Sequence, residues 1–406
     1  MLRIDPGSGT IPTDFDDNYL ELIRLLTAGA GIEHSLMIAY LYALFSIKPE
    51  YAYVQGDVSP RSYLEHSPVG RGGTAVLRKK TTFLDVAIEE MQHLALVNKY
   101  LAELGAAPCF VPLDLPYSSG FYPFDLELCS LDRYAAATFL WIEADTCALS
   151  LSPKCEPTRE PLAFVHEVRK TLRAGEAIQA REGTSEQTGY PDHVGSLYRR
   201  IIQQTQRVAA APPAFLPADF PWGEWEEKMS WITYQGEIAH YQFFRRVFTG
   251  EAFHSDAGIW TPGPRYPAYV MPWKTAYAGH KAAIANPDAR ALAWLGDLHY
   301  WIILTLLDTA YRAPELKLQY KAIDNMTSGL WLIGRHLASQ YGVGMPFDAI
   351  GPQYTLGRTN ARSIEIIRKL VLEAQGKAEA LGARGLLPEG YSLELFPMTL
   401  AGLALV

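Results

Sequence analysis

Between Leu25 and Ile47 only Glu33 and His34 carry side chains that change charge near neutral pH. A helix this apolar on every side belongs either at the centre of a large helical bundle or in a bilayer. A carboxylate in mid-run is costly in lipid, and the rest of the sequence offers no second span. The run is therefore expected to be a buried core helix, with no membrane as partner. A chain of 406 residues that is 49% hydrophobic and 20% charged has the material for such a core and is not a disordered composition. Its net charge of −8 would repel a phosphate backbone, so no nucleic acid is expected either.

Apolar residues at 3.6-residue spacing mark helices over 17–47, 74–105, 130–150, 160–182, 195–209 and 224–249, then over 288–310, 313–342 and 359–383. Strand alternation is nearly absent. Pro- and Gly-rich stretches at 48–73, 104–125 and 211–223 separate the first set. The aromatic, Pro-rich stretch 250–274 cannot continue a helix, and its rings suggest a segment packed on a surface. The expectation is an all-α protein in two parts, a bundle over 1–250 and a helical C-terminal region over 251–406 that packs on it, with an apolar tail that docks. Cys109, Cys129, Cys147 and Cys155 show no paired spacing, and the start MLRIDPGSGTIPTDFDD has neither a basic nor an apolar leader segment. Four buried packing thiols and a cytoplasmic location are expected.

Bundles bind metals by aiming acids and imidazoles inward, and Glu-x-x-His puts both ligands on one helical face. With 26 Glu in the chain, ten His predict roughly 0.6 such pairs by composition. There are three: Glu90/His93, Glu237/His240 and Glu251/His254. The third follows the helix-ending Thr249-Gly250 and is read as coincidence. The first two are flanked at helical spacing by Phe83, Val86, Leu94 and Val97, and by Ile232, Tyr241 and Phe244. Glu33 and Glu143 likewise sit where apolar residues belong. Four buried carboxylates with little nearby cation would each cost several kcal/mol unless they protonate or bind metal. Two divalent ions carry +4 against four Glu at −4, so a dinuclear site of Glu33, Glu90, His93, Glu143, Glu237 and His240 closes the balance.

One Glu from each of two helices plus Glu-x-x-His from each of two others is the ferritin-like four-helix carboxylate pattern. More narrowly, IEHSLMIAYLYALFSIKPE, IEEMQHLALVNKYLAELGAAPCF, FLWIEAD and GEIAHYQFFRRVF resemble the ferritin-like domain of the iminophenyl-pyruvate dimer synthase family, which includes chromopyrrolate and violacein pathway enzymes. The resemblance covers about 17–250, and Met37-Ile38-Ala39 stands where that family carries Ile-Pro-Pro. It implies a ferritin-like bundle with extra helices and a metal site of the kind just derived.

Carboxylate-rich ligation suits two Fe ions, or Mn, over Zn or Cu, and an open reduced di-iron site reduces O2. The expected function is an O2-dependent oxidase or oxygenase acting on a small organic molecule, an amine or amino-acid derivative in secondary metabolism. Iron storage without an organic substrate and a metal-free structural protein are the alternatives; the oligomeric state is open. His34 points about 100° from Glu33 and is read as a residue behind the ligands or at the surface. Glu89 does not share the face of His93. Asp297, His299, Asp308 and His336 match no ligand spacing, while Tyr40, Tyr42, Trp141, Trp231 and Tyr241 read as bundle core. Phe110, Tyr117, Phe121, Tyr122, Trp260, Tyr266 and Trp273 could wall a substrate cavity. The deepest pocket is accordingly expected to reach the Glu/His cluster.

Overall fold

The computed structural model describes residues 3–4, 12–56, 81–110, 115, 122, 124–151, 153–156, 159–172, 193–348 and 359–404. Of the expected features, helix spans 74–80 and 173–182 and the rings of Tyr117 and Phe121 lie outside these residues. Helix α1 spans Asn18–Ser46, and the Asp17 carboxylate at its start accepts the N–H of Leu20. It runs unbroken through Met37-Ile38-Ala39, where no proline removes a donor. By length and composition it could cross a membrane, and 78% of that apolar window is buried inside the protein.

Helix α2, Phe83–Glu103, opens on a capping box in which Thr82 and Asp85 satisfy each other's backbone N–H groups. Helix α3, Arg133–Glu143, is capped by Asp132 and stops short of the expected 150. Ala144 is extended, and the Asp145 carboxylate accepts the N–H of Cys147 in a turn that breaks the ladder. Helices α4, Leu162–Leu172, and α5, Val194–Ala210, follow. Helix α6, Trp222–Tyr234, passes without a break into a π-helical turn, Gln235–His240, and then into α7, Tyr241–Thr249. Gly250 ends it in the left-handed region at φ 87°.

Four helices form the bundle, α6 and α7 counting as one through the π-turn: α2 lies along α1, α3 along α7, and α6 against α2. The additional helix α5 lies across α1 and α6 and touches the π-turn. In the C-terminal region α8 spans Pro287–Arg312, with Asn286 as its cap. The expected single helix over 313–342 is broken: Pro314 starts a 3-10 turn and Lys317 has φ 52°. Helix α9, Gln319–Asn325, a π-turn at Met326–Leu330, α10, Trp331–His336, and a second π-turn, Leu337–Tyr341, make up the rest. Helix α11, Asn360–Gly382, packs along α8, and the apolar tail forms α12, Leu395–Ala404, which buries Leu395, Phe396 and Leu403.

Helix α1 is covered by α2 and α5 on one side and by α10 on the other. The approach to α10 is close, since a Cβ at Gly334 would lie 2.5 Å from the Phe45 ring. The stretch 250–274 is laid onto the end of α1: Lys48 N–H donates to the Pro267 carbonyl, Tyr269 N–H to Ser46, and the Tyr42 hydroxyl to Met271. One apolar core runs through both regions. The cysteine expectation needs correction, because Cys147 and Cys155 are joined in a disulfide eight residues apart. The turn after α3 brings their Cα atoms to 4.9 Å, a closure that the spacing alone does not signal.

Candidate metal centre

Five acid and imidazole side chains converge inside the bundle. Helix α1 supplies Glu33, α2 supplies Glu90 and His93, α3 supplies its last residue Glu143, and the π-turn supplies His240. None is more than 2% exposed. His93 Nδ1 lies 3.1 Å from Glu90 Oε2 and 3.4 Å from Glu33 Oε2. His240 Nδ1 lies 2.9 Å from Glu90 Oε1 and 3.6 Å from Glu143 Oε2. Two trios result, Glu33/Glu90/His93 and Glu90/Glu143/His240, each with its ligating atoms within 4.8 Å of one another. They share Glu90.

Both imidazoles turn Nδ1 toward the acids and Nε2 outward. The outward nitrogen of His93 is 3.0 Å from Gln235 Oε1, and that of His240 is 2.7 Å from Glu89 Oε2. With Nε2–H donated to these acceptors, the Nδ1 lone pair is left for a cation. The outer oxygens of the carboxylates are held as well: Tyr40 donates to Glu143 Oε1 at 2.6 Å and Tyr198 donates to Glu33 Oε1. Inside the cluster His93 Nδ1 and Glu90 Oε2 are within hydrogen-bond distance, but not every polar atom is satisfied. Glu33 Oε2 and His240 Nδ1 are buried without a hydrogen-bond partner, although charged atoms lie within reach.

The buried acids and imidazoles shift one another's titration. Burial, reinforced by the neighbouring Glu90, pushes Glu33 up to about 8, and the same two causes raise Glu143. Burial opposes charge on Glu90 too, but His93 and His240 outweigh it and hold this carboxyl well below its ordinary range. Against burial, Glu90 and Glu33 lift His93 to about 10, and Glu143 and Glu90 raise His240 well above its usual value. A buried site of three facing carboxylates and two imidazoles that leaves two polar atoms without a hydrogen-bond partner fits a divalent metal pair.

The sixth candidate is not brought in. Glu237 turns its carboxylate away, to Arg199 Nη1 at 2.5 Å, and belongs to neither trio. The expectation rested on i,i+3 spacing in an α-helix, but residues 235–240 form a π-turn, in which three residues no longer bring a side chain back to the same face. Glu89 corrects the sequence reading in the opposite sense. It does not share the face of His93, yet it reaches His240 across the bundle. Gln235, Tyr40 and Tyr198 are further contacts that the sequence reading missed. A polar residue two before Glu237 and tyrosines on apolar stripes were the available signals.

His34 is fully buried and faces α8, where its Nε2 is hydrogen-bonded with the Tyr300 hydroxyl at 2.6 Å. His254 ends a 3-10 turn and stacks on Tyr53. His299 bridges Asn325 and Tyr391, Asp297 accepts from the Asp348 N–H, and Asp308 pairs with Arg312. These are packing and pairing roles.

Two pockets that the structure does form lie between the outer faces of α1 and α2 and the C-terminal helices. Leu41, Met91, Met326 and Leu330 line both, and no residue of the cluster lines either. Helices α1 and α2 present their acids to the bundle interior, so the space behind them is on the wrong side. Of the proposed wall rings, Phe110 lines one of these two pockets, where it stacks on Tyr311. Trp260 packs on Phe253 and Tyr266, and Trp273 donates to the Pro346 carbonyl, so these rings hold segments together.

Residues 26–217 match a family model described as ferritin-like. The chain carries a ferritin-like domain. Over 345 residues it is 27% identical to a dichlorochromopyrrolate synthase of Lentzea aerocolonigenes. That alignment takes in 76% of this chain and 33% of the relative, so the chain spans about a third of the relative's length. No solved structure matches it. The matched part of the ferritin-like domain holds Glu33, Glu90, His93 and Glu143; His240 follows it in the fourth bundle helix.

Proposed function

We propose that the ferritin-like domain holds two iron ions, with manganese as the alternative, and that the protein is an O2-dependent oxidase or oxygenase of a small organic substrate. The observation that carries this reading is Glu90, shared between two buried carboxylate/imidazole trios. Glu33, Glu90 and His93 would hold one metal, and Glu90, Glu143 and His240 the other. When bound, such a pair supplies the electrons for O2 reduction.

The chain's own residues prepare that site. Tyr40 and Tyr198 each tie down one oxygen of a carboxylate and leave the other facing inward. Glu89 and Gln235 orient the two imidazoles. Trp231 lies edge-on to His93 at 5.6 Å, and Phe139 and Phe244 pack on Tyr40, which keeps water from the interior. The relative named dichlorochromopyrrolate synthase supports a small organic substrate, which we take to be an amine or amino-acid derivative of secondary metabolism.

A second reading, metal handling without an organic substrate, is favoured by one observation: neither pocket is lined by the cluster. Metal analysis after expression in iron- or manganese-supplemented medium, followed by O2 uptake with a reductant, separates them. About two metals per chain and stoichiometric O2 uptake are expected from the dinuclear count. Iron loading far beyond two per chain would move the protein to storage, and protein that stays metal-free after anaerobic Fe(II) addition would overturn both.

A further inference from the structure

The disulfide between Cys147 and Cys155 lies in the stretch that joins α3 to α4, and that stretch begins at the cluster. Glu143 is the last residue of α3, and four residues later Cys147 is held in the turn made by Asp145. Thr146, beside Cys147, accepts from Arg199 of α5 at 2.9 Å. Past Cys155 the chain turns back, since the Arg159 N–H donates to the Cys155 carbonyl and the Glu160 N–H to the Ala148 carbonyl. There Glu160 takes hold of α7: its carboxylate accepts from the Tyr241 hydroxyl at 3.1 Å and from Arg245 Nε at 2.8 Å. Tyr241 directly follows His240. The covalent bond therefore ties the chain that leaves Glu143 to the group that braces the turn of His240. Both ligands belong to the Glu90/Glu143/His240 trio, whereas Glu33 and His93 are held from other elements, by Tyr198 and Gln235.

We infer that Cys147 and Cys155 are a reversible thiol–disulfide site that tunes the metal centre: closed, the bond braces the Glu90/Glu143/His240 position, and opened by a dithiol it weakens that position and spares the other. This rests on the dinuclear reading above. Cys147 is half-buried and Cys155 buried, so an incoming thiolate meets the Cys147 sulfur first. It forms a mixed disulfide there, the Cys147–Cys155 bond breaks, and Cys155 leaves as a thiolate that takes up a proton. The second thiol of the donor then closes the donor's own disulfide and releases Cys147 as a thiol. Two electrons and two protons pass from the dithiol to the protein. Once open, the two halves of the loop are joined by hydrogen bonds such as that from Glu160 to Ala148, each worth far less than a covalent link. Glu160 then holds Tyr241 and Arg245 from a looser base, and the chain beyond Glu143 loses its nearest fixed point. Metal ligands respond to such losses behind them by about tenfold to a hundredfold in affinity.

Anaerobic Co(II) titration, followed by the visible absorption of the bound ion, tests this without turnover. Wild-type protein is compared closed and after dithiol treatment with the dithiol removed, the state being checked by thiol count in denaturant: two from Cys109 and Cys129 when closed, four when open. Closed protein should bind two Co(II). In open protein one of the two steps should weaken about tenfold and the other should stay the same, and reoxidation should restore the weakened step. Cys147→Ser combined with Cys155→Ser should match the open form and should not respond to dithiol. Linkage requires the converse, so Co(II) loading should make the disulfide about tenfold harder to reduce, or about 30 mV in a dithiol buffer. Two steps that are the same in closed and open protein overturn the inference and leave the dinuclear reading standing. An equal loss at both steps would mark general loosening, and it also overturns the inference, as do four thiols that persist after mild oxidation. Wild-type protein that binds no Co(II) overturns both.

Discussion

Each imidazole of the cluster is anchored at its outer nitrogen, and the two anchors differ in charge. His240 leans on the carboxylate of Glu89, whereas His93 leans on the neutral amide of Gln235. Glu89→Gln should therefore weaken metal retention by about tenfold to a hundredfold, measured by competition with a chelator. His93→Ala should remove most bound metal, while His254→Ala, outside the cluster, should leave metal content unchanged. A different acid sets a pH dependence away from the metals. Burial, with Asp348 close by, raises Asp297 well above the ordinary carboxyl range, and its Oδ2 has no hydrogen-bond partner. A carboxyl raised on folding contributes its stability below the unfolded value and loses it as pH climbs toward the folded value. Asp297→Asn keeps the acceptor for the Asp348 N–H without the buried charge. Its melting temperature relative to wild type should thus rise as pH climbs above the unfolded carboxyl value of about 4.

Helix α2 brings more of the cluster than any other element, and its start is fastened by the Thr82/Asp85 box. Thr82→Ala should cost about 1 kcal/mol in chemical denaturation, the usual loss for a removed helix cap. The fourth bundle helix works differently. Its π-turn keeps His240 in the cluster and sends Glu237 to α5, so the same four residues that read as one ligand pair in an α-helix serve two separate places. The C-terminal π-turns interrupt a span that reads as one helix by periodicity, and the first of them lines both apolar pockets through Met326 and Leu330.

The molecule is built around α1, which places Glu33 in the bundle and His34, one residue later, against α8. Two regions thus share one helix as their common wall. Gly334 is where they come nearest, so Gly334→Ala should overpack the contact with Phe45 and lower unfolding stability by about 1–3 kcal/mol, read from denaturant midpoints. The apolar space between the regions lies behind the metal-facing helices rather than at the cluster.

An all-α fold, the central position of α1 and three buried acids among apolar stripes could all be read from the chain, because helical period and the cost of burying charge are local arithmetic. Glu33, Glu90, His93, Glu143 and His240 were recognisable for that reason. Tertiary structure alone decided what crosses between helices. Glu89 meets His240, Tyr198 meets Glu33, and Cys147 meets Cys155 across a turn, none of which has a spacing rule. It also decided where Glu237 rests, since residues 235–240 form a π-turn rather than an α-turn and its carboxylate meets Arg199 of α5.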